Sequence, residues 1–483
     1  MLRNGLILLL AAGLTASLVL HWRWHRDFFG PTSAGHAPPA EAVDPVAARF
    51  DAVFDHAAAQ PGLAGAAIGF CLIDGSGAVI HEREARTAQI PASTLKTLTT
   101  STALEVLGAD FRFETALGFS APVGRDGILD GDLIILGGAD PMLSIADLRA
   151  WAADLVRTGV KSVTGRVIGD GRYLAGSLYP DFWNWGDIGN GFGSPVSGLN
   201  LEHNRFVARF LPGAAAGEAA EVVDLAPEVP GVVWWNLATT SPADSGDGIM
   251  IHGGERAGVI HLRGTVPLEG GELEVTGAVP DPERFAAHHL RLALGEAGIT
   301  VLGEAAGAAG LVLEGLPVPE AVELPIRHLS APLIDLITSI HATSDNLETE
   351  CLYRLLGLHG GQPPDAVVRA HWTGRGLAFQ GLRMVDGCGL ARADHITPHD
   401  LARLQHLAAS GPEGEKYLAS LLATEDGTLR WKAGAMSAVR SYTGCITRAD
   451  GTRHSFALMV NHFTDPAAVN ALRDAVVAAM REE

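Results

Sequence analysis

Apolar and polar positions divide the chain into three textures. From about residue 46 the chain reads as a helix, Val46 to Ala59, followed by the apolar runs GAAIGFCLID and GAVIHERE. Asp74-Gly75-Ser76-Gly77 between those runs is a tight-turn composition, so they read as paired strands. PASTLKTLT then opens a helical run through Leu107. Between about 116 and 324 the pattern shortens to β-like segments such as GDLIILGG, GRVIGD, GVIHLRGTV and GELEVTGAV, punctuated by turn residues and without a sharp repeat. From about 326 helical spacing returns in SAPLIDLITSIHATSDNLETECLYRLLGLH, interrupted by a polar break. ALMVNHF and AAVNALRDAVVAAMREE close the chain as a strand and a helix. The expected fold is therefore an α/β (α+β) layer, in parts 46–115 and 325–483, split by β-rich subdomains over 116–324.

Composition narrows the class. With 483 residues, 47% hydrophobic and 19% charged, the chain is globular and too long for one ordinary core. Its formal net charge of −20, without a long Lys/Arg run, repels a phosphate backbone and makes nucleic acid a poor partner. Arg3 precedes an uncharged, mostly apolar run from Gly5 to Leu20, and Trp22, Arg23, Trp24 and Arg26 follow it. Residues 1–30 thus read as a signal peptide or an uncleaved membrane anchor, the latter favoured by the interfacial aromatic and basic residues. Residues 31–45 read as a Pro/Ala linker, and the rest of the chain is expected outside the cytoplasm, in the periplasm or its equivalent. Cys71, Cys351, Cys388 and Cys445 are too few for a disulfide framework and match no C-x-x-C pattern; buried free thiols are the default, with one disulfide open.

Candidate chemistry begins with Ser93 and Lys96, a serine and a lysine three apart in PASTLKT. In isolation the serine reads as a helix cap as readily as a nucleophile. Two later patterns change that. Ser344-Asp345-Asn346 occupies the polar break, and Lys432-Ala433-Gly434 lies in GTLRWKAGAMSAVRSYTGCI, where a polar stretch becomes β-type. S-x-x-K, S-x-N and K-x-G in this order form the signature set of serine β-lactamases and penicillin-binding proteins. At helical spacing Ser93 and Lys96 share a face, which lets a free amine reach the hydroxyl.

PASTLKTLT, LGADFRFET, GDLIILGGADPMLS, GSPVSGLNLEHNR, SDNLETECLYRLLG, VDGCGLARADHITP and LRWKAGAMSAVRSYTGCI resemble, in order, the D-alanyl-D-alanine carboxypeptidase/endopeptidase family of class C penicillin-binding proteins, peptidase family S13. The long stretch between Ser93 and Ser344 is similar to that family's inserted domains. The resemblance implies a β-lactamase/DD-peptidase-like catalytic domain acting on peptidoglycan stem peptides through an acyl-enzyme. It implies β-lactams as covalent inhibitors, and neither cofactor nor metal. It implies Ser93 as nucleophile, Lys96 as base, Ser344 as proton relay, Asn346 holding the substrate amide, and Lys432 and Gly434 on the strand beside the cleft. Backbone N–H groups of Ser93 and Ala435 would meet the oxyanion.

The chain departs from the family where K-T-G-T is usual and Lys432-Ala433-Gly434-Ala435 stands. Both hydroxyls that would bind a terminal carboxylate are missing, and each such bond is worth roughly 1.5–3 kcal/mol. Carboxypeptidase activity is expected to suffer more than endopeptidase activity on a cross-link. Cys388 replaces a usual serine, read as an isosteric packing change, and His341 replaces a common asparagine, read as a satisfied helix histidine. The pairs His395/His399 and His399/His406 lack a third ligand in view. Two alternatives accompany the peptidase: a catalytically weak penicillin- or wall-binding protein of the same fold, and a β-lactamase, which the long insertion disfavours.

Overall fold

The strand Ala67–Ile73 is buried along nearly its whole length, and so is Arg453–Asn461 beside it. Both faces of a sheet must be covered for such runs to be stable, which explains why they read as continuous apolar stretches without alternation. A computed structural model describes residues 45–246 and 248–482. The expected leader or anchor over 1–30 and the linker to residue 44 lie outside the described residues; Pro45 already begins a helix.

The central sheet is six-stranded and antiparallel, in the order Leu422–Ala423, Leu429–Met436, Val439–Thr447, Arg453–Asn461, Ala67–Ile73, Val79–Arg83. On one face Phe70 stacks on Phe50 and packs with a tilted ring against Phe54 of the helix Pro45–Ala58, at ring centroid distances of 5.4 and 5.3 Å. On the other, Cys71, Ile73, Ala457 and Met459 join one core with Leu401, Ala402 and Leu404 of the helix Pro398–Ala409. Among the described residues the first strand thus pairs with the last.

Behind this layer runs the helix Lys96–Leu107, with every residue from Lys96 to Leu104 buried. Its sequence is rich in threonine, a weak helix former. The hydroxyls are partnered instead of exposed: Thr97, Thr100 and Thr102 bond backward to carbonyls, and Thr99 reaches the Gly387 carbonyl at 2.7 Å. The helices Leu333–Thr343, Asn346–Gly360 and Pro364–Gly374 pack around it. Trp372 is fully buried, with its indole donating to Thr102 Oγ1 at 2.8 Å.

Between these parts the chain leaves and returns along one pair of strands, Glu114–Phe119 and Glu323–Leu329, which are antiparallel neighbours at the edge of a five-stranded sheet. Among the described residues three further sheets of three strands each also fall between residues 128 and 301. This region is less purely β than its texture suggests. Ile145–Arg157 is a helix with a Ser144/Asp147 capping box, and Pro282–Glu296 is a helix capped by Asp281. Leu148, Trp151, Ala152 and Leu155 bury at helical spacing, a pattern hidden among the surrounding Gly- and Val-rich segments.

Replacing Trp372 by Ala should lower unfolding free energy by about 3–5 kcal/mol in urea denaturation, since it leaves a cavity beneath the central helix and removes a buried bond. An unchanged midpoint would contradict this packing role.

Candidate active site

Ser93 does not cap the helix that follows it. It sits within a 3₁₀ turn, Ala92–Leu95, and no side-chain cap bond closes either that turn or the helix. Ala92 holds a positive φ of 46°, a strained conformation for a residue with a Cβ, which turns Ser93 toward the cleft. The Ser93 hydroxyl instead lies 3.2 Å from Lys96 Nζ.

Lys96 has 0% exposure. Burial of an amine requires acceptors, and two distant segments supply them: Asn346 Oδ1 at 2.6 Å and the Cys388 carbonyl at 2.7 Å. Asn346 is fixed at its other end by donating Nδ2–H to the Phe192 carbonyl at 2.8 Å.

Ser344 ends the helix Leu333–Thr343 in the left-handed conformation, φ 62°, and Asp345 starts the next helix by accepting from the Glu348 N–H at 3.0 Å. The polar break in the sequence is therefore a helix–helix corner. Arg205, from the long middle region, pins it through Asp345 at 2.7 Å. Ser344 Oγ receives Lys432 Nζ at 2.9 Å, and the same amine reaches the Ala433 carbonyl at 2.8 Å. Lys432 is 3% exposed; burial first, then the Lys96 charge, push its pKa down to about 7.

Gly434 lets the strand Leu429–Met436 run against the serine turn. A Cβ there would lie 2.8 Å from Ser93 N and collide with Ser441 Oγ. Ser441 locks the same junction by donating to the Pro91 carbonyl. Ala433 and Ala435 alternate with Lys432 and Gly434 and are exposed. A cleft of about 420 Å³ brings together Ser93, Ser344, Asn346 and Ala435, with Asp187 and Arg392 at its wall. All seven residues picked out in the sequence thus converge on one place. A groove of about 660 Å³, lined by Tyr173, Arg354 and Pro364 among others, shares no residue with it.

Other expectations resolve as follows. His341 is fully buried, bonded to Thr100 and Ser420, and burial pushes its pKa down to about 3. All four cysteines are free and buried. His399 contacts Asp400. Potential metal ligands cluster instead at His203/Asp345/Glu348 and at Glu350/Asp386/Cys388. The first trio is engaged by the Arg205 pair, by a 2.9 Å bond from His203 to Glu348, and by the helix cap. In the second, the carboxylates accept backbone N–H groups.

Sequence reasoning missed four contributors. The Cys388 carbonyl, not its thiol, faces Lys96. Asp386, Trp183 and Phe192 also enter through backbone or long-range bonds that no local spacing encodes.

A sequence model of the D-Ala-D-Ala carboxypeptidase 3 (S13) family matches residues 51–483. The chain is 29% identical over 457 residues to the D-alanyl-D-alanine carboxypeptidase of Actinomadura sp. (strain R39), covering 88% of this chain and 82% of that one. It is 25% identical over 412 residues to the D-alanyl-D-alanine carboxypeptidase DacB of Haemophilus influenzae, covering 80% and 83%. The crystal structure of penicillin binding protein 4 (dacB) from H. influenzae superposes with a TM-score of 0.78 at 20% identity, over 89% of this chain and 99% of that one, which establishes the fold. With residues 51–483 inside the matched span, the chain belongs to the D-Ala-D-Ala carboxypeptidase 3 (S13) family of serine peptidases.

Proposed function

We propose that this protein is an exported DD-peptidase that cleaves D-alanyl-D-alanine-type bonds of peptidoglycan stem peptides through an acyl-enzyme at Ser93. The observation that carries the reading is the buried Lys96 amine, 3.2 Å from the Ser93 hydroxyl and held by two acceptors. A neutral amine has two hydrogens and one lone pair. The contacts to Asn346 and to the Cys388 carbonyl use both hydrogens, which leaves the lone pair for the serine proton.

Ser93 Oγ then attacks the scissile carbonyl as its proton passes to Lys96. Backbone N–H groups of Ser93 and Ala435 stabilise the oxyanion. The Lys432–Ser344 pair returns a proton to the leaving amine, and water later releases the acyl group. The 31–45 linker and the leader or anchor before it support an extracytoplasmic site of action. Residues 46–115 and 325–483 are proposed as the catalytic layer and 116–324 as its insertion. A weak or inactive wall-binding protein is the poorer reading, because Ser93 with Lys96 and Ser344 with Lys432 are present as two bonded pairs.

The direct test incubates the purified protein with a muropeptide pentapeptide and with a D-alanyl cross-linked dimer, followed by mass analysis. Loss of D-alanine or splitting of the dimer supports the reading; intact substrates overturn it.

Two predictions follow from Lys432 and its strand. Titrating near 7, Lys432 is an ammonium below that pH and an amine above it, so it attracts a substrate carboxylate only on the acid side. KM for the pentapeptide should rise by about tenfold one unit above that pH, while KM for its C-terminal amide stays flat. Parallel profiles for acid and amide would contradict the assignment.

Ala433 and Ala435 are exposed along the cleft strand, so the double change Ala433→Thr, Ala435→Thr has room for both hydroxyls. It should raise kcat/KM for the pentapeptide by about tenfold or more, the worth of part of one charged hydrogen bond. No gain would mean that other groups already hold the carboxylate.

A further inference from the structure

One peptide unit stands between a buried carboxylate and the buried amine. The carbonyl of Cys388 accepts from Lys96 Nζ at 2.7 Å, and the N–H on the same peptide, that of Gly389, donates to Asp386 Oδ1 at 2.6 Å. Asp386 is fully buried. It also accepts from the Cys388 N–H at 3.0 Å, the Ala391 N–H at 2.7 Å and the Trp183 indole at 2.9 Å. Four N–H donors thus converge on its two oxygens, both of which act as acceptors. Burial first, then the neighbouring Asp386, push the Asp394 carboxyl up to about 10.

The loop that carries this peptide has little freedom. Gly389 adopts φ 78°, and a Cβ there would collide with the Ala92 carbonyl, one residue before Ser93. Glu350, also buried, accepts the Gly387 and Cys388 N–H groups at 2.6 and 2.9 Å, which belong to the peptides before the one that meets Lys96. Trp183 ties the arrangement to the long middle region.

A carboxylate on the N–H end of a peptide polarises it, and hydrogen bonds in a chain strengthen one another. We propose that Asp386 is a positioning residue that acts through the 388–389 peptide on Lys96, making the carbonyl a stronger acceptor and fixing the amine with its lone pair on Ser93. The inference rests on the reading of Lys96 as base toward Ser93. No atom is transferred through the peptide; its bonds only orient and polarise. Asp386 and Glu350 therefore differ in role although both are buried acids bonded to one loop, Glu350 from the helix Asn346–Gly360, since only Asp386 bonds the peptide that touches the amine.

The test measures acylation by benzylpenicillin, with the docking constant and the acylation rate constant resolved separately, for the parent protein, Asp386→Asn and Glu350→Gln. Asp386→Asn should acylate about tenfold or more slowly, the scale of one charge-assisted hydrogen bond, with unchanged docking and full final stoichiometry. Glu350→Gln should lose less than about threefold, as a neutral acceptor can still serve its two N–H groups. Equal acylation in Asp386→Asn and parent overturns the proposal, and so does equal slowing in both variants, which would make the acids simple loop supports. A parent that takes no label at Ser93 defeats the underlying reading, and the inference with it.

Should Asp386→Asn not fold, the Gly389 amide proton gives the answer in the folded protein by NMR. It should resonate far downfield in the parent and move upfield in Lys96→Ala, because removing the amine weakens the bond at the other end of the peptide. A Gly389 resonance indifferent to Lys96 overturns the proposal.

Discussion

The structure around the cleft depends on one requirement: a lysine amine with no access to water must be given acceptors. Burying a polar group without hydrogen-bond partners costs several kcal/mol. Lys96 meets that cost with contacts drawn from the serine turn, from the start of the helix Asn346–Gly360 and from the loop at residue 388. Those segments are separated by about 250 and 292 positions along the chain. The central helix can therefore carry its lysine only when those segments are assembled around it, which makes the site a product of the tertiary fold.

The middle region takes part in that assembly. Phe192 holds the far end of Asn346, Arg205 pins Asp345 at the helix corner, and Trp183 bonds Asp386 under the loop. Two of these contacts land on the Ser344–Asn346 corner and the third on the loop whose Cys388 carbonyl meets Lys96. A change in this region far from Ser93 in sequence is thereby coupled to the geometry of Lys96 through one or two hydrogen bonds. The strand opposite makes the converse approach. Gly434 is needed because the chain passes too close to Ser93 for any side chain, whereas the flanking Ala433 and Ala435 face open space. The family hydroxyls are missing there without any steric reason.

Much of this was legible in sequence because it is local. Ser93 and Lys96 are three apart, Ser344 and Asn346 flank a helix break, and the strand of Lys432 shows its β-type residues. The strands Ala67–Ile73 and Arg453–Asn461 were recognisable as apolar runs, although their pairing joins opposite ends of the chain. The helices Ile145–Arg157 and Pro282–Glu296 were legible by periodicity but submerged in a glycine- and valine-rich texture. The role of the 386–391 loop was not legible at all. Its contacts join the Asp386 side chain to backbone groups, and a carbonyl or an N–H leaves no mark in a one-letter code. Cys388 drew attention for its thiol, which burial pushes well above its usual pKa, while its carbonyl makes the contact that matters.

The central claim is that this buried amine makes Ser93, among all the serines of the chain, the nucleophile. Its most direct measurement is peptide mapping by mass spectrometry of the unaltered protein, quenched soon after exposure to benzylpenicillin at neutral pH. The account predicts a single covalent adduct, confined to the tryptic fragment 87–96 and localised to Ser93. An adduct on Ser344 or elsewhere, or none at any time, would contradict it.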